Sequence, residues 1–122
     1  MDYEKRYIRI DTYEITDTVT ENSFEVDALI APAITLLNKK GYITAFCCSG
    51  HVAGDHYLPV AYIAFLFGGI TPETIPEGWC WACDGQMEYR YYGATQEMIK
   101  MVMSELIVWA ANLPDTTINY EF

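Results

Sequence analysis

The segment that most constrains the fold is residues 36–51, LLNKKGYITAFCCSGH, where a helical pattern changes to a strand pattern across one glycine. Two lysines precede Gly41, as suits the negative end of a helix dipole, and glycine commonly follows a helix end. Residues 42–48 are aromatic, β-branched and uncharged, which is typical of a strand buried on both faces. A small turn, Ser49-Gly50-His51, then follows the strand.

The chain length predicts one domain spanning residues 1–122, and the order of its helices and strands, given below, predicts an α+β class. Hydrophobic residues make up 52% of the 122 positions, enough for a core without disulfides. The chain opens on charged residues and has no apolar leader, which favours a cytoplasmic protein with reduced thiols. Its longest apolar run, residues 60–67, is too short to cross a membrane.

The net charge of −10 disfavours nucleic-acid binding, which depends on Lys and Arg neutralising phosphates. Acidic residues are absent between Asp27 and Asp55, so this window is mildly positive. A small anion could be held there by backbone amides. Alternatively, the window has no acids because a buried strand has no room for charge.

The first helix is predicted from an apolar stripe over residues 26–37. Two N-termini fit it: a capping-box-like pair, Asn22 and Glu25, or Asp27 as N-cap. Pro32 either kinks this helix or lies in its first turn, because proline has no amide hydrogen to donate.

The remaining patterns complete the order β-α-β-β-β-β-α-β, with strands at residues 7–15, 42–48, 60–67, 79–83, 86–92 and 116–122 and a second helix capped by Thr95 and stopped by Pro114. This order predicts a mostly antiparallel sheet with two helices on one face. The other face would be rich in tyrosine and tryptophan. That face would either curl on itself or meet a second copy of the chain. The second case predicts a homodimer.

Asp84-Gly85 predicts a hairpin with a two-residue type I′ turn. A tight register would pair Cys83 with Gln86, Trp81 with Glu88, and Trp79 with Arg90 in a cation–π contact.

The turn after residue 48 is the candidate site. It offers the thiol of Cys48 and the imidazole of His51 as candidate catalytic groups, and the backbone amides of Ser49 and Gly50 as anion donors. Adjacent cysteines on a strand face opposite ways, so only one of Cys47 and Cys48 can belong to the site. The alternative is that the turn only connects two strands and that Cys47 and Cys48 are small core residues.

Cys48, His51, Cys80 and Cys83 together are a zinc-like ligand set. A metal is nevertheless not predicted. In a regular strand the side chains of Cys80 and Cys83 lie on opposite faces, and their Cα atoms are about 10 Å apart. A pair of cysteines that chelates a metal needs a turn between them.

Asn38, Thr44, the Cys48-Ser49-Gly50 turn and the strand at 61–67 resemble uncharacterised bacterial and phage proteins with a CCSGH motif. They are more distantly similar to the tRNA wybutosine-synthesising protein 3 family, in which the fold hosts an S-adenosylmethionine-dependent methyl transfer. The resemblance implies a ligand site formed by Asn38, Thr44, Ser49 and Gly50 beside Cys48. Where that family has arginine after Ser-Gly, this chain has His51, and its acidity does not suit tRNA.

Two functions are therefore expected as alternatives. One is a pocket for a small molecule or nucleotide derivative at the Cys48–His51 turn, for which the resemblance implies a methyltransferase-like activity, with the substrate and cofactor unspecified. The other is a non-catalytic module that self-associates or binds a protein through an aromatic sheet face.

Overall fold

The architecture consists of two helices packed on an antiparallel sheet. The computed structural model describes residues 7–11, 23–50, 60–92 and 95–116. Its elements are, in order, β1 (Tyr7–Asp11), β2 (Ser23–Asp27), α1 (Ala31–Lys39), β3 (Thr44–Cys48), β4 (Val60–Phe65), β5 (Cys80–Cys83), β6 (Gln86–Arg90) and α2 (Gln96–Asn112). The predicted α+β class is confirmed, with one additional strand, β2, before the first helix.

The larger sheet has the strand order β3-β4-β6-β5, and every neighbouring pair is antiparallel. A separate antiparallel pair joins β1 to β2. The lack of charge in residues 42–48 predicts burial on both faces, but β3 is an edge strand of the four-stranded sheet and the helices cover one face of it. Phe46 lies on the other face and is 70% exposed.

Both helices pack on one face of the larger sheet and form a single core with it. The strands contribute Ala61, Ile63 and Met87 to this core. The helices contribute Ile30, Ala31, Ala33, Ile34 and Leu37 near or in α1, and Ile99, Val102, Met103, Leu106 and Ala110 in α2. The 3.6-residue spacing read from the sequence places these side chains on the buried stripe of each helix.

The first helix begins later than the capping-box interpretation predicts. Glu25 lies within β2, so the pair Asn22 and Glu25 does not start the helix. Asp27 instead accepts a hydrogen bond from the Ile30 amide at 3.2 Å and fixes the turn that leads into α1. Pro32 lies in the first helical turn, where a missing amide hydrogen costs nothing.

The end of α1 confirms the role predicted for Gly41. Its φ of 94° is positive, the Gly41 amide donates to the Asn38 carbonyl at 3.1 Å, and the Tyr42 amide donates to the Leu37 carbonyl at 2.9 Å. These two bonds form a Schellman motif, which turns the chain directly into β3.

Lys40 stabilises the end of the other helix as well. Its ammonium donates to the carbonyls of Ala110, Ala111 and Leu113 at 2.9, 2.7 and 2.7 Å. Those groups belong to the last turn of α2, where carbonyls have no partner within the helix. The lysine predicted to suit the α1 dipole thus caps α2 and ties the two helix ends together.

The start and end of α2 agree with the sequence interpretation. The Thr95 hydroxyl accepts a hydrogen bond from the Met98 amide at 3.2 Å, which makes it the N-cap. The helix ends at Asn112, two residues before Pro114.

The β5–β6 hairpin contains a bulge that changes the predicted register. Cys83 pairs with Gln86 as expected, but a shift between Trp81 and Cys83 pairs Trp81 with Met87 rather than Glu88. The Trp79 ring packs against Tyr89, with centroids 5.9 Å apart, in place of the expected Arg90 contact. Among the described residues only glycines have positive φ, so Asp84 does not adopt the type I′ conformation, although Gly85 does turn at φ 75°.

The expectation of an aromatic outer face is wrong for three of the largest rings. Trp79, Tyr91 and Tyr42 are 7%, 2% and 3% exposed and belong to the core on the helix side of the sheet. The opposite face, here called the open face, carries Phe46 and Cys48 on β3 and Tyr62 on β4, as the strand register requires.

The final strand predicted at residues 116–122 lies outside the described residues beyond Thr116, as does the part of the first strand beyond Asp11. No helix in the described part of the chain has the length and apolarity needed to cross a membrane.

Candidate functional site: the Ser49 corner

The turn after β3 forms a corner in which the ends of three strands meet. Asp27 closes β2, Ser49 follows β3, and Tyr91 follows β6. Asp27 is only 4% exposed, and its second carboxylate oxygen accepts the Ser49 amide at 2.8 Å. One carboxylate thus fixes both the turn before α1 and the turn after β3. We call the group Asp27, Ser49, Gly50 and Tyr91 the Ser49 corner.

Tyr91 holds the corner from the sheet side. Its hydroxyl donates to the Ser49 carbonyl at 2.8 Å, and its ring packs against Gly50. Gly50 has a φ of 110°, and a Cβ added there would lie 2.5 Å from a ring carbon of Tyr91. Both the backbone conformation and the ring require glycine at this position.

The Ser49 side chain is buried but has no hydrogen-bond partner for its hydroxyl oxygen within the described chain. An unsatisfied buried polar group costs about 1–3 kcal/mol. Native proteins contain few such groups, and each calls for an explanation, of which a functional role is one. Within the corner this hydroxyl is therefore the strongest functional indication.

Asn38 and Thr44 are brought together, but in the interior. The Asn38 amide group donates to the Ile34 carbonyl at 2.8 Å and to the Thr44 hydroxyl at 3.1 Å, while its oxygen accepts the Thr44 amide at 3.3 Å. Asn38 is fully buried and Thr44 is 8% exposed. Their polar groups bind each other and hold the end of α1 on the start of β3, so they position the strand that leads into the corner.

A bulge in β3 explains why Thr44 faces the helices. The register shifts between Thr44 and Phe46, so Thr44 lies opposite Phe65 on the helix side. Cys47 then pairs with Ile63 on the helix side and Cys48 with Tyr62 on the open face. The prediction that Cys47 and Cys48 face opposite sides of the strand is confirmed.

Cys48 is half-buried, and its sulfur accepts the Gly50 amide at 3.4 Å. His51 lies outside the described residues, as does His56. The pairing of the Cys48 thiol with the His51 imidazole therefore stays a prediction.

The geometric argument used against a metal site needs correction. Because of the bulge in β5, Cys80 pairs with Glu88 and Cys83 with Gln86, so both thiols face the same side of the sheet. Both cysteines are exposed. Within residues 7–11, 23–50, 60–92 and 95–116, no three His, Cys, Asp or Glu side chains are grouped to hold a metal ion.

Two clefts lie away from the corner. The first, of about 310 Å³, is lined by Tyr42, residues 70–74 and residues 113–116. The second, of about 300 Å³, lies at the β5–β6 hairpin beside Trp81 and Asp84. Burial raises the pKa of the Tyr42 hydroxyl above 10, and the negative charges of Glu73 and Asp115 raise it further.

Sequence reasoning missed the structural partners of the turn. The sequence indicates only a helix cap for Asp27, whereas its buried bond to the Ser49 amide spans 22 positions. Tyr91 belongs to the strand predicted at residues 86–92, and nothing in that pattern indicates a contact with the turn. An acid ahead of a helix gave a partial signal for Asp27, whereas no local pattern indicates that a tyrosine 42 positions away binds the turn.

Comparisons with known proteins add no family assignment. No protein-family model matches the chain, and no curated protein or solved structure matches it significantly.

Proposed function

We propose that this chain is a small cytoplasmic domain that binds a small molecule or nucleotide derivative at the turn formed by Cys48, Ser49, Gly50 and His51. The observation that carries the proposal is the buried hydroxyl of Ser49, which has no partner in the described chain although the amide and carbonyl of the same residue are hydrogen-bonded.

The corner supports binding because its backbone is already fixed. The Ser49 amide is used by Asp27 and the Ser49 carbonyl by Tyr91. The group that we propose meets the ligand is the Ser49 hydroxyl, with the Cys48 thiol and the His51 imidazole as its neighbours in sequence. A site whose backbone is ordered before binding loses less conformational entropy when the ligand arrives.

The resemblance to the wybutosine-synthesising family selects the first ligands to test. A methyltransferase-like activity would need S-adenosylmethionine, and a nucleotide derivative would be the second component. Both belong in one panel with S-adenosylhomocysteine, guanosine and the common nucleoside monophosphates.

The test is a thermal-shift screen of the full chain and three variants. A ligand at 100 times its Kd adds about 2.7 kcal/mol to the free energy of unfolding, which is readily detected. We expect Ser49→Ala to be as stable as the wild type, since it removes an unsatisfied buried group, and to lose at least about tenfold in affinity. His51→Ala should also weaken binding, whereas Ser104→Ala on the exposed face of α2 should not.

Two results would contradict the proposal. One is a wild type that responds to no member of the panel. The other is a His51→Ala or Ser49→Ala variant that binds as tightly as the wild type.

The second candidate function is self-association or protein binding through the open face. Its support is Phe46, which is 70% exposed on an edge strand and faces away from both helices. Exposed aromatic side chains of this kind are enriched at interfaces. Because Trp79 and Tyr91 lie in the core, this candidate rests on Phe46 of the open face and not on those two rings.

Sizing chromatography combined with light scattering tests the homodimer form of this candidate. We expect a wild-type dimer that Phe46→Ser converts to a monomer, while the fully exposed Phe67, changed to serine, leaves the mass unchanged. A wild type that is monomeric at about 100 μM, well above the Kd of most specific dimers, would exclude self-association through this face.

A further inference from the structure

The hydrogen bonds of the Ser49 corner limit the kind of ligand group that can bind there. The Ser49 amide donates to the Asp27 carboxylate at 2.8 Å, and the Tyr91 hydroxyl donates to the Ser49 carbonyl at 2.8 Å. The Gly50 amide donates to the Cys48 sulfur at 3.4 Å. Within the described chain, the Ser49 hydroxyl is the buried side-chain group of the corner that has no partner. A ligand that reaches the corner therefore meets one neutral hydroxyl.

This arrangement does not suit an anion. The sequence indicates the amides of Ser49 and Gly50 as anion donors, but an anion-binding nest needs successive amides that converge on one point. In the structure the first of these amides points to Asp27 instead. A buried phosphate or carboxylate needs several donors or a cation to replace its lost hydration, and a single hydroxyl does not provide them.

The charges near the corner act in the same direction. Asp27 is only 4% exposed, and its carboxylate lies against the Ser49 amide, so a second negative group at Ser49 would be repelled. Lys39 and Lys40 precede β3, whereas Ser49 follows it, and a strand of this length spans about 15 Å. The ammonium of Lys40 is also bonded to three carbonyls at the end of α2. Neither lysine of the acid-free window therefore reaches the corner.

Arg90 precedes Tyr91 in the chain, but its side chain lies on the opposite face of the sheet. Tyr91 and Met87 belong to the core on the helix side, so the alternation of the strand places Arg90 on the open face. It is exposed there. A phosphate bound by Arg90 would lie outside the buried corner, and a variant of this residue tests that case.

We propose that the ligand of the Ser49 corner is a neutral nucleoside that places its base against the Ser49 hydroxyl, and that no phosphate anchors it. The inference rests on the binding site proposed above and specifies its ligand. A nucleobase meets the requirement, because its ring N–H and carbonyl groups bond to a hydroxyl without bringing charge into the corner.

The experiment compares each nucleoside with its own 5′-monophosphate. Adenosine, guanosine, cytidine and uridine, their monophosphates and inorganic phosphate are titrated into the full chain by calorimetry. We expect a nucleoside to bind and its monophosphate to bind no more tightly. Inorganic phosphate at about 20 mM, well above the Kd of a built anion site, should neither bind nor displace the nucleoside.

Three variants locate the contact. Ser49→Ala should weaken a nucleoside and its monophosphate by the same factor, about tenfold, because both lose the same hydrogen bond. Ser104→Ala, which removes an exposed hydroxyl of α2, should change both affinities less than about twofold. Arg90→Gln should also leave both affinities within about twofold, because an exposed charge on the other face is screened from the corner.

Some results would overturn this inference and keep the proposed site. They are a monophosphate that binds about tenfold more tightly than its nucleoside while Ser49→Ala still weakens it, displacement of the nucleoside by inorganic phosphate, or a tenfold loss of monophosphate affinity in Arg90→Gln. Binding of S-adenosylmethionine without binding of any nucleoside would have the same meaning. The site and the inference fail together if the wild type binds no member of the panel, or if Ser49→Ala binds every member as tightly as the wild type.

Discussion

The Ser49 corner and the cleft lined by Tyr42, here called the Tyr42 cleft, share a tyrosine hydrogen bond but differ in their carboxylates. In each, a buried tyrosine hydroxyl donates to a backbone carbonyl: Tyr91 to Ser49 at 2.8 Å and Tyr42 to Pro114 at 2.9 Å. The carboxylates differ. Asp27 is buried and binds two backbone amides, whereas Glu73 and Asp115 are exposed at the rim of a cavity. A buried carboxylate that binds backbone amides holds the fold together, whereas exposed carboxylates at a rim do not tie distant strands to each other.

The largest effect expected is from Gly50→Ala in the corner. The new Cβ would meet the Tyr91 ring at 2.5 Å and force a positive φ on alanine. Overpacking and backbone strain together should lower the free energy of unfolding by about 3–5 kcal/mol. Gly68→Ala is the matched control: its φ is 80°, with no atom within 4 Å of the new Cβ, so it should lose only about 1 kcal/mol. Equal losses in urea unfolding would mean that Tyr91 does not constrain Gly50.

The next largest effect is from Asp27→Asn. The amide keeps one oxygen but cannot accept from both the Ile30 and Ser49 amides with a carboxylate's charge, so about 2 kcal/mol should be lost. Asp84→Asn in the hairpin turn provides the control, because Asp84 is exposed and asparagine suits turns as aspartate does, so the free energy of unfolding should be nearly unchanged. If Asp27→Asn leaves the free energy of unfolding unchanged in denaturant unfolding, the carboxylate does not hold the corner.

Removing the two tyrosine hydroxyls compares the regions directly. Tyr91→Phe leaves the buried Ser49 carbonyl without its donor and should cost about 1.5 kcal/mol. Tyr42→Phe removes a part-buried bond and should cost about 0.5–1 kcal/mol, since water can replace it. Calorimetry on both variants measures the two losses in free energy of unfolding. A larger loss in Tyr42→Phe than in Tyr91→Phe would show that the cleft depends on its tyrosine hydroxyl more than the corner does.

The smallest effect is a pH dependence that comes from Tyr42 in the cleft. The pKa of Tyr42 is raised above 10 in the folded state by burial, Glu73 and Asp115, so above pH 10 the unfolded chain loses this proton first. Stability from this group is complete below the unfolded pKa and is lost as pH rises through the folded one. Stability measured from about pH 8 to about 11 should therefore fall less in Tyr42→Phe than in the wild type. Parallel curves would mean that Tyr42 ionises alike in both states.

Local sequence signals determined most of the elements. The Schellman motif at Gly41, the Thr95 cap and the core stripe of α2 depend on neighbours within a few residues, so the pattern alone located them. The α+β class followed from the order of those elements. Asn38, Thr44 and the Ser49 turn were singled out by resemblance and by turn chemistry, and the structure shows the first two bonded to each other.

Only the tertiary structure decided on which side of the sheet each side chain lies and which distant residues bind each other. Two bulges, in β3 and β5, moved Thr44 to the helix side and both hairpin cysteines to one face, because a single extra residue reverses the side on which the following residues lie. Likewise, the bonds from Asp27 and Tyr91 to Ser49 join positions 22 and 42 residues apart. Long-range contacts of this kind leave no periodic trace in the chain, since they exist only once distant strands are packed together.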